Sequence, residues 1–333
     1  MVVQGMDLVR FAIPKGSLEQ ETYEILSQAG YEIRGQERSY RPSINDPQIE
    51  LKILRPQEIP LMVADGLQDV GITGSDWIRE TKADVEVLLD LEYGRVKLVV
   101  AVPKSLKEVN SLSDLLKFFL DAGRDVRIST EFPNLTGEAL KENEEYKRRF
   151  GDKDPWILTP WWRSGENPHV KLYLSFGATE AKPPEAADAI VDLTRSGHTL
   201  EQNDLKVIEV ITSSSAVLIA NRQALKDQEK HDKIYDILTL LKGVVDGRKK
   251  LHIFVNVKRE NLERLLRELP ALKSPTISEL AGGKWCSVNT IIDRAAFLEL
   301  LPILRKLAQG LVVHEPQQIL PLEEIAKDEY ETK

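Results

Sequence analysis

Apolar residues along this chain fall into short runs closed by turn residues, with longer stretches of 3.6-residue periodicity between them. Residues 8–13 (LVRFAI) predict a buried strand, and residues 18–29 a helix with Leu18, Tyr23, Ile25 and Leu26 on its apolar face. A strand over 49–54, a short helix over 59–65 closed by Gly66 and a buried strand over 69–73 make a βαβ unit. Strands over 85–91 and 95–103, a helix over 112–122 and a strand over 126–129 follow. After a Trp- and Pro-rich stretch come apolar runs at 189–191, 207–211 and 216–220, and then an amphipathic helix over 231–246. The tail repeats the alternation on a smaller scale. It predicts a strand at 251–257, a helix at 259–269, an extended segment from Ser274, a strand at 285–292, a helix at 295–307 and a strand at 311–314. That βαββαβ order is a ferredoxin-like module.

The stretch ADAIVDLTRSGHTL, residues 187–200, carries the most chemistry. A buried run ends at Asp192 and breaks into Thr194, Arg195, Ser196, Gly197, His198 and Thr199. Strand ends are where α/β proteins hold ligands. A Gly-centred loop of hydroxyl residues directs several N–H groups at one phosphate, with the carboxylate beside it for ribose hydroxyls or magnesium. The plainer alternative is a polar surface turn. Lys15 and Gly16, between a strand and a helix, form a second anion-binding candidate, against an ordinary βα connection with a solvated lysine. Arg55 and Asp76 sit on loops at strand ends, where a surface ion pair and a helix cap are the structural alternatives. Asn134 and Thr136 are read as caps of a following helix. Trp156, Trp161 and Trp162 with Arg163 either stack an adenine ring or pack down a loop or subunit contact.

Length and composition narrow the class. At 333 residues the chain holds two or three domains, and 42% hydrophobic with 29% charged residues describes a globular protein. A net charge of −8 and a pI near 5.4 argue against a nucleic-acid partner. The single Cys286 fits a reducing compartment. No secretory signal and no run long enough to cross a bilayer is visible, so a cytoplasmic protein without a membrane partner is expected. No second His or Cys stands at metal spacing from His198 or His231.

Several blocks, in order, resemble the long-form ATP phosphoribosyltransferases. PKGSL is similar to the family's PKGRL, with Ser17 in place of Arg. RPQEIPLMVADGLQDVGITGSDW, LLDLEYGRVKLVVAVP, TEFPNLT and SSSAVLIAN resemble further family blocks. The stretch 187–200 resembles the family's phosphoribosyl pyrophosphate (PRPP) loop, and LKSPTIS with GGKWCSVNTII the C-terminal ACT-like domain. Residues 143–184 depart from the pattern, although Glu180 stands in the family's acidic position.

The resemblance implies an α/β fold: a two-lobed core similar to type II periplasmic binding proteins, plus a ferredoxin-like, ACT-like regulatory domain. The implied boundaries are 1–95 with 217–249 for one lobe, 96–216 for the other and 250–333 for the tail. It implies joining ATP N1 to C1 of PRPP with release of pyrophosphate, the first step of histidine biosynthesis, with Mg²⁺ as cofactor. Asp192 would bear on ribose hydroxyls or the metal, the 194–199 loop on the 5′-phosphate, and Lys15, Arg55 and Arg95 on polyphosphates. Asn256 and Thr276 would lie near a histidine effector, and the chain would be a homo-oligomer, from dimer to hexamer. A non-catalytic histidine-sensing or partner-subunit paralogue is the alternative. A solute-binding protein would need a signal peptide. Porphobilinogen deaminase would need a cofactor-bearing cysteine, and the only cysteine lies on a tail strand.

Overall fold

The structure is a computed structural model that describes residues 8–37, 39–269 and 275–320. Ser274 and the first seven residues, on which parts of the expectations above rest, lie outside that range. The elements run in order β1 (Val9–Pro14), α1 (Glu19–Gln28), β2 (Ile33–Arg34), β3 (Ser43–Ile44), β4 (Ile49–Leu54), α2 (Ile59–Ala64), β5 (Val70–Gly74), α3 (Ser75–Thr81), β6 (Glu86–Asp90) and β7 (Val96–Pro103). They continue with α4 (Leu112–Asp121), β8 (Val126–Thr130), α5 (Pro133–Glu142), α6 (Glu144–Phe150), β9 (Pro155–Leu158), β10 (Arg163–Ser164), β11 (Asn167–Leu174), β12 (Ala189–Thr194), α7 (His198–Gln202), β13 (Leu205–Ser214) and β14 (Ala216–Ala220). The remainder is α8 (Gln228–Arg248), β15 (Lys250–Lys258), α9 (Leu262–Glu268), β16 (Thr276–Glu279), β17 (Trp285–Asp293), α10 (Phe297–Leu307) and β18 (Ala308–His314). The chain divides into two compact units, one of residues 10–19 and 53–224, the other of 1–9, 20–52 and 225–333.

The first of these units holds most of two sheets, with Val9 of β1 and Ile49–Lys52 of β4 falling in the other. One has the order β4-β1-β5-β14-β6, the other β10-β9-β11-β8-β12-β7-β13. The chain leaves the first sheet after β6, builds the whole second sheet, and returns through β14, which inserts antiparallel between β5 and β6. Two crossings between two sheets are the layout of a two-lobed, type II periplasmic-binding-protein-like core. The larger sheet packs its core from β7, β8, β11 and β12 against α4 and α5, with Leu98, Val100, Leu115, Phe119, Ile128 and Leu172 fully or nearly fully buried. At about 1.5–3 kcal/mol per buried large apolar side chain, this cluster supplies much of the lobe's stability.

α3 ties the two sheets together. Its Trp77 ring stacks on Phe132 at 4.3 Å between centroids. Its buried Glu80 accepts the N–H groups of Asn134 and Leu135, both at 2.9 Å, and its carbonyl accepts from Asn134 Nδ2 at 2.8 Å. The expectation that Asn134 and Thr136 cap a helix is therefore corrected. Both lie inside α5, and a carboxylate from another helix satisfies its first N–H groups.

In the other unit, β15, β17, β16 and β18 with α9 and α10 form an antiparallel sheet of order β16-β17-β15-β18. This is the ferredoxin-like βαββαβ topology. Alternation on β15 buries Leu251, Ile253, Val255 and Val257 against Leu265, Leu300 and Leu304. Gly243 of α8 accepts the Ile319 N–H at 2.9 Å, and a Cβ on it would come within 2.3 Å of Leu320.

Candidate active site

The register of the larger sheet builds one edge of the site. β8, β11 and β12 are parallel, and Thr130, Leu174 and Val191 stand in one row. The next residue on each strand is Glu131, Ser175 and Asp192, so three chain ends deliver polar groups to the carboxyl edge of the sheet, where α/β proteins place ligands. β12 continues beyond that row on its β7 side only, with Asp192 opposite Val99 and Thr194 opposite Lys97. Asp192 thus lies two residues inside the strand and not at its last residue, as the apolar run alone predicts. Burial, followed by the nearby Glu131 and Glu180 carboxylates, pushes the Asp192 carboxyl up to about 6, against the stabilising N–H of Leu193 at 2.7 Å. Burial likewise raises Glu131, which the Gly177 N–H and Lys182 oppose. Lys182 Nζ donates to Ser175 Oγ, which is 3.2 Å from Thr179 Oγ1.

The loop after Thr194 is short. Thr194 Oγ1 accepts the Gly197 N–H at 2.8 Å, and Ser196 Oγ accepts from His198 at 3.5 Å. Gly197, at φ +81°, turns the chain into α7, which begins at His198. His198 and Thr199 are therefore helical, in an element the turn-like sequence does not predict. A left-handed residue at that cap is accessible to glycine without strain.

A second feature is an open cavity of about 590 Å³ lined by Arg95, Lys97, Arg195, Ser75, Ser213 and Ser215. Three cations and several hydroxyls, against the one carboxylate of Asp90, leave this space with a net positive lining that favours an anion. Arg95 is 3.8 Å from Glu92, and Ser215 Oγ donates to Asp90 Oδ1 at 2.9 Å. Next to it, Asp76 N–H donates to Ser214 Oγ at 3.1 Å. Asp76 is buried and its carboxyl raised by that burial, although its Oδ1 accepts the Trp77 N–H at 2.9 Å. It is not the helix cap that its position after Gly74 predicts, because Gly74 itself is the cap residue. A Cβ on Gly74 would lie 2.1 Å from Asp76 Oδ1, so only glycine leaves that carboxylate its space.

Lys15, Gly16 and Arg55 form a third group at the ends of β1 and β4. The Lys15 N–H donates to Leu54 at 2.8 Å, and Arg55 Nη1 would be 3.9 Å from a Cβ on Gly16. Arg95 and Arg195 therefore share one cavity, and Asp192 and Thr194 share one strand. Lys97, the Ser213–Ser215 run, Glu80 and Glu131 were not singled out from the sequence. Their signals were a basic residue two beyond Arg95, three consecutive serines before a strand, and an acid one helical turn after Asp76. On the tail sheet, Asn256 pairs with Ser287 and Thr276 with Asn289, which puts both on the exposed face, two strands apart.

Magnesium suits the donor type, because Asp192 and Glu131 offer hard oxygens in one row. Among the described residues no three His, Cys, Asp or Glu side chains gather closely enough to hold a metal by themselves. A Mg²⁺ held by one or two carboxylates and completed by substrate phosphate oxygens fits that set.

These features define an α/β protein with a two-sheet, anion-gathering core and a ferredoxin-like tail. The family model for ATP phosphoribosyltransferase (HisG) matches residues 55–243, and that for the HisG C-terminal domain matches residues 247–316. An ATP phosphoribosyltransferase of Solibacter usitatus is 37% identical over 316 residues, 93% of this chain and 98% of the relative. One from Pelotomaculum thermopropionicum is 35% identical, covering 92% and 97%. The chain belongs to the ATP phosphoribosyltransferase family, with the C-terminal domain of its long form. In fold, it is similar to the ATP phosphoribosyl transferase (HisG:HisZ) complex from Thermotoga maritima, at a TM-score of 0.54 and 23% identity over 72% of this chain and 99% of that one.

Proposed function

We propose that this chain condenses ATP with PRPP, forming the bond from adenine N1 to ribose C1 as the bond from C1 to pyrophosphate breaks, and that it opens histidine biosynthesis. The observation that carries the reading to this chain's own residues is the row of Glu131, Ser175 and Asp192 at the carboxyl ends of three parallel strands, with the turn from Thr194 into the start of α7 directly after it. N1 is neutral and brings its own lone pair, so no strong base has to start the reaction. The difficult step is the positive charge that grows on the ribose as pyrophosphate departs, and carboxylates stabilise it electrostatically. Asp192 accepts from the ribose hydroxyls and fixes the ring for in-line attack. The loop N–H groups and hydroxyls hold the 5′-phosphate, while Arg95, Lys97, Arg195, Lys15 and Arg55 neutralise polyphosphate charge. Mg²⁺, when bound by Asp192 and substrate oxygens, would stabilise the leaving pyrophosphate.

The same reading takes 1–95 with 217–249 and 96–216 as the two lobes, and the 250–333 tail as a histidine-binding regulatory domain with Asn256 and Thr276 near the effector. The enzyme is cytoplasmic and a homo-oligomer. Among the described residues no helix is long and apolar enough to cross a membrane. The test is pyrophosphate release by the purified chain from ATP, PRPP and Mg²⁺, with and without histidine. Release suppressed by histidine supports both parts. Release insensitive to histidine removes the regulatory part, and no release removes the catalytic one.

A further inference from the structure

The segment where the family blocks fade, 143–184, adds strands at the far end of the larger sheet. β9 is parallel to β11 and pairs Leu158 with Tyr173, so the chain end after β9 opens on the same carboxyl edge as Ser175, Glu131 and Asp192. There, residues 159–162 form a tight turn before β10 returns antiparallel. Thr159 holds it at both ends. Its Oγ1 accepts the N–H groups of Trp161 at 3.2 Å and Trp162 at 3.0 Å, and its own N–H reaches the Trp162 carbonyl at 3.0 Å.

This rigid turn presents Trp161 with 74% of its surface exposed. The ring's contact is an edge-on one with Phe176, 69% exposed, at 5.8 Å between centroids. Neither the loop-packing role nor burial within the fold accounts for such exposure. Phe176 is itself tethered to the site: it lies between Ser175, in the row with Asp192, and Gly177, whose N–H serves Glu131. Three strand spacings separate β9 from β12, about 14 Å along the same sheet edge, a separation on the scale of a nucleotide.

Resting on the phosphoribosyl-transfer reading, we infer that Trp161, braced by Phe176, is the stacking platform for the adenine of ATP. An exposed, preorganised indole face at a ligand-bearing strand edge is what base stacking needs, and it loses little rotamer freedom on binding. Adenine held there by its face keeps its N1 edge open towards the ribose at Asp192. Trp161 is thus a positioning residue for one substrate and leaves the other untouched.

The test uses the full chain, Trp161→Ala and Trp161→Phe. For Trp161→Ala, KM for ATP is expected to rise about tenfold, as loss of one base-stacking partner predicts, while KM for PRPP stays within twofold. Trp161→Phe should recover most of the loss. Independently of turnover, AMP added without PRPP should quench tryptophan emission in the wild type, and Trp161→Ala should abolish that quenching. Turnover with an unchanged KM for ATP and unchanged quenching overturns the inference. So does a fall in oligomer mass with an unchanged KM for ATP, which makes the indole a subunit contact. If the wild type turns nothing over, the catalytic reading fails, and AMP quenching lost in Trp161→Ala still supports the platform.

Discussion

In the proposed role Asp192 holds ribose hydroxyls best as a carboxylate, yet it sits where ionisation is costly. Burial and the charges of Glu131 and Glu180 raise its carboxyl from 3.8 to about 6, a bias of ~3 kcal/mol towards the neutral acid. At pH 7 it is then roughly nine-tenths ionised, and at pH 5 about one-tenth. The rate should therefore fall on the acid side with a midpoint near 6, well above that of an ordinary aspartate. Replacing Glu131 with Gln removes one raising charge but leaves the burial, so the midpoint should move towards acid without reaching 3.8. The assay is kcat/KM for PRPP across pH 4.5–8 in both proteins. A stability measurement provides the cross-check. Because the folded chain ionises Asp192 less readily than the unfolded one, the cost is fully present above about 6 and gone below 3.8. Asp192→Asn should cut turnover strongly yet stabilise the fold by up to ~3 kcal/mol at pH 7, a gain that fades as pH drops through that window. An acid limb unmoved by Glu131→Gln, or an Asp192→Asn variant with full turnover, would refute the assignment.

Three further outcomes follow from the same site. Glu80→Ala leaves the first two N–H groups of α5, the buried one of Leu135 and the part-buried one of Asn134, without their acceptor, and urea unfolding should show a loss of about 1–3 kcal/mol. Gly74→Ala drives a methyl against the Asp76 carboxylate and should destabilise the chain by about 1–3 kcal/mol, read as a lower Tm with the cations of the cavity left in place. Arg95→Ala and Arg195→Ala each remove one cation from the shared cavity. Each should raise the KM of a polyphosphate substrate with a fall in the salt dependence of that KM, and the double variant should lose less than the product of the two single effects because they act on one space.

Much of the architecture was legible because it rests on period. Alternation in LHIFVNV and WCSVNTII fixes which face of the tail sheet is buried, and the 3.6-residue spacing of Ile234, Ile237, Leu238 and Leu241 marks α8, all four being buried. The βαββαβ order therefore emerged whole. Caps and short helices did not, because tertiary contacts decide them. Nothing local to Pro133 says that its helix is capped by Glu80 from 53 residues upstream, and nothing in SGHT says that Gly197 opens a single helical turn. Candidate site residues stand out in the sequence where charges border the apolar runs, as at Asp192 and Arg95, although β12 runs two residues past Asp192. They were hidden where the register of separate strands does the gathering. Glu131 gains its meaning only when Thr130, Leu174 and Val191 fall in one row.

The same reasoning explains why the 143–184 segment was the hardest to read and the most informative to see. Its tryptophans carry a pattern that fits a packed loop or a subunit contact more often than a base platform, since each wants large rigid rings. What separates these readings is which side of a sheet the turn opens on, and that depends on β9 running parallel to β11. Had β9 run the other way, Trp161 would stand at the opposite edge, remote from Asp192, and a contact with another subunit would be the better account. Parallel pairing puts the indole on the ligand edge, beside a loop that already reaches Glu131. An exposed aromatic carries functional weight here through the strand direction beneath it, more than through its own chemistry.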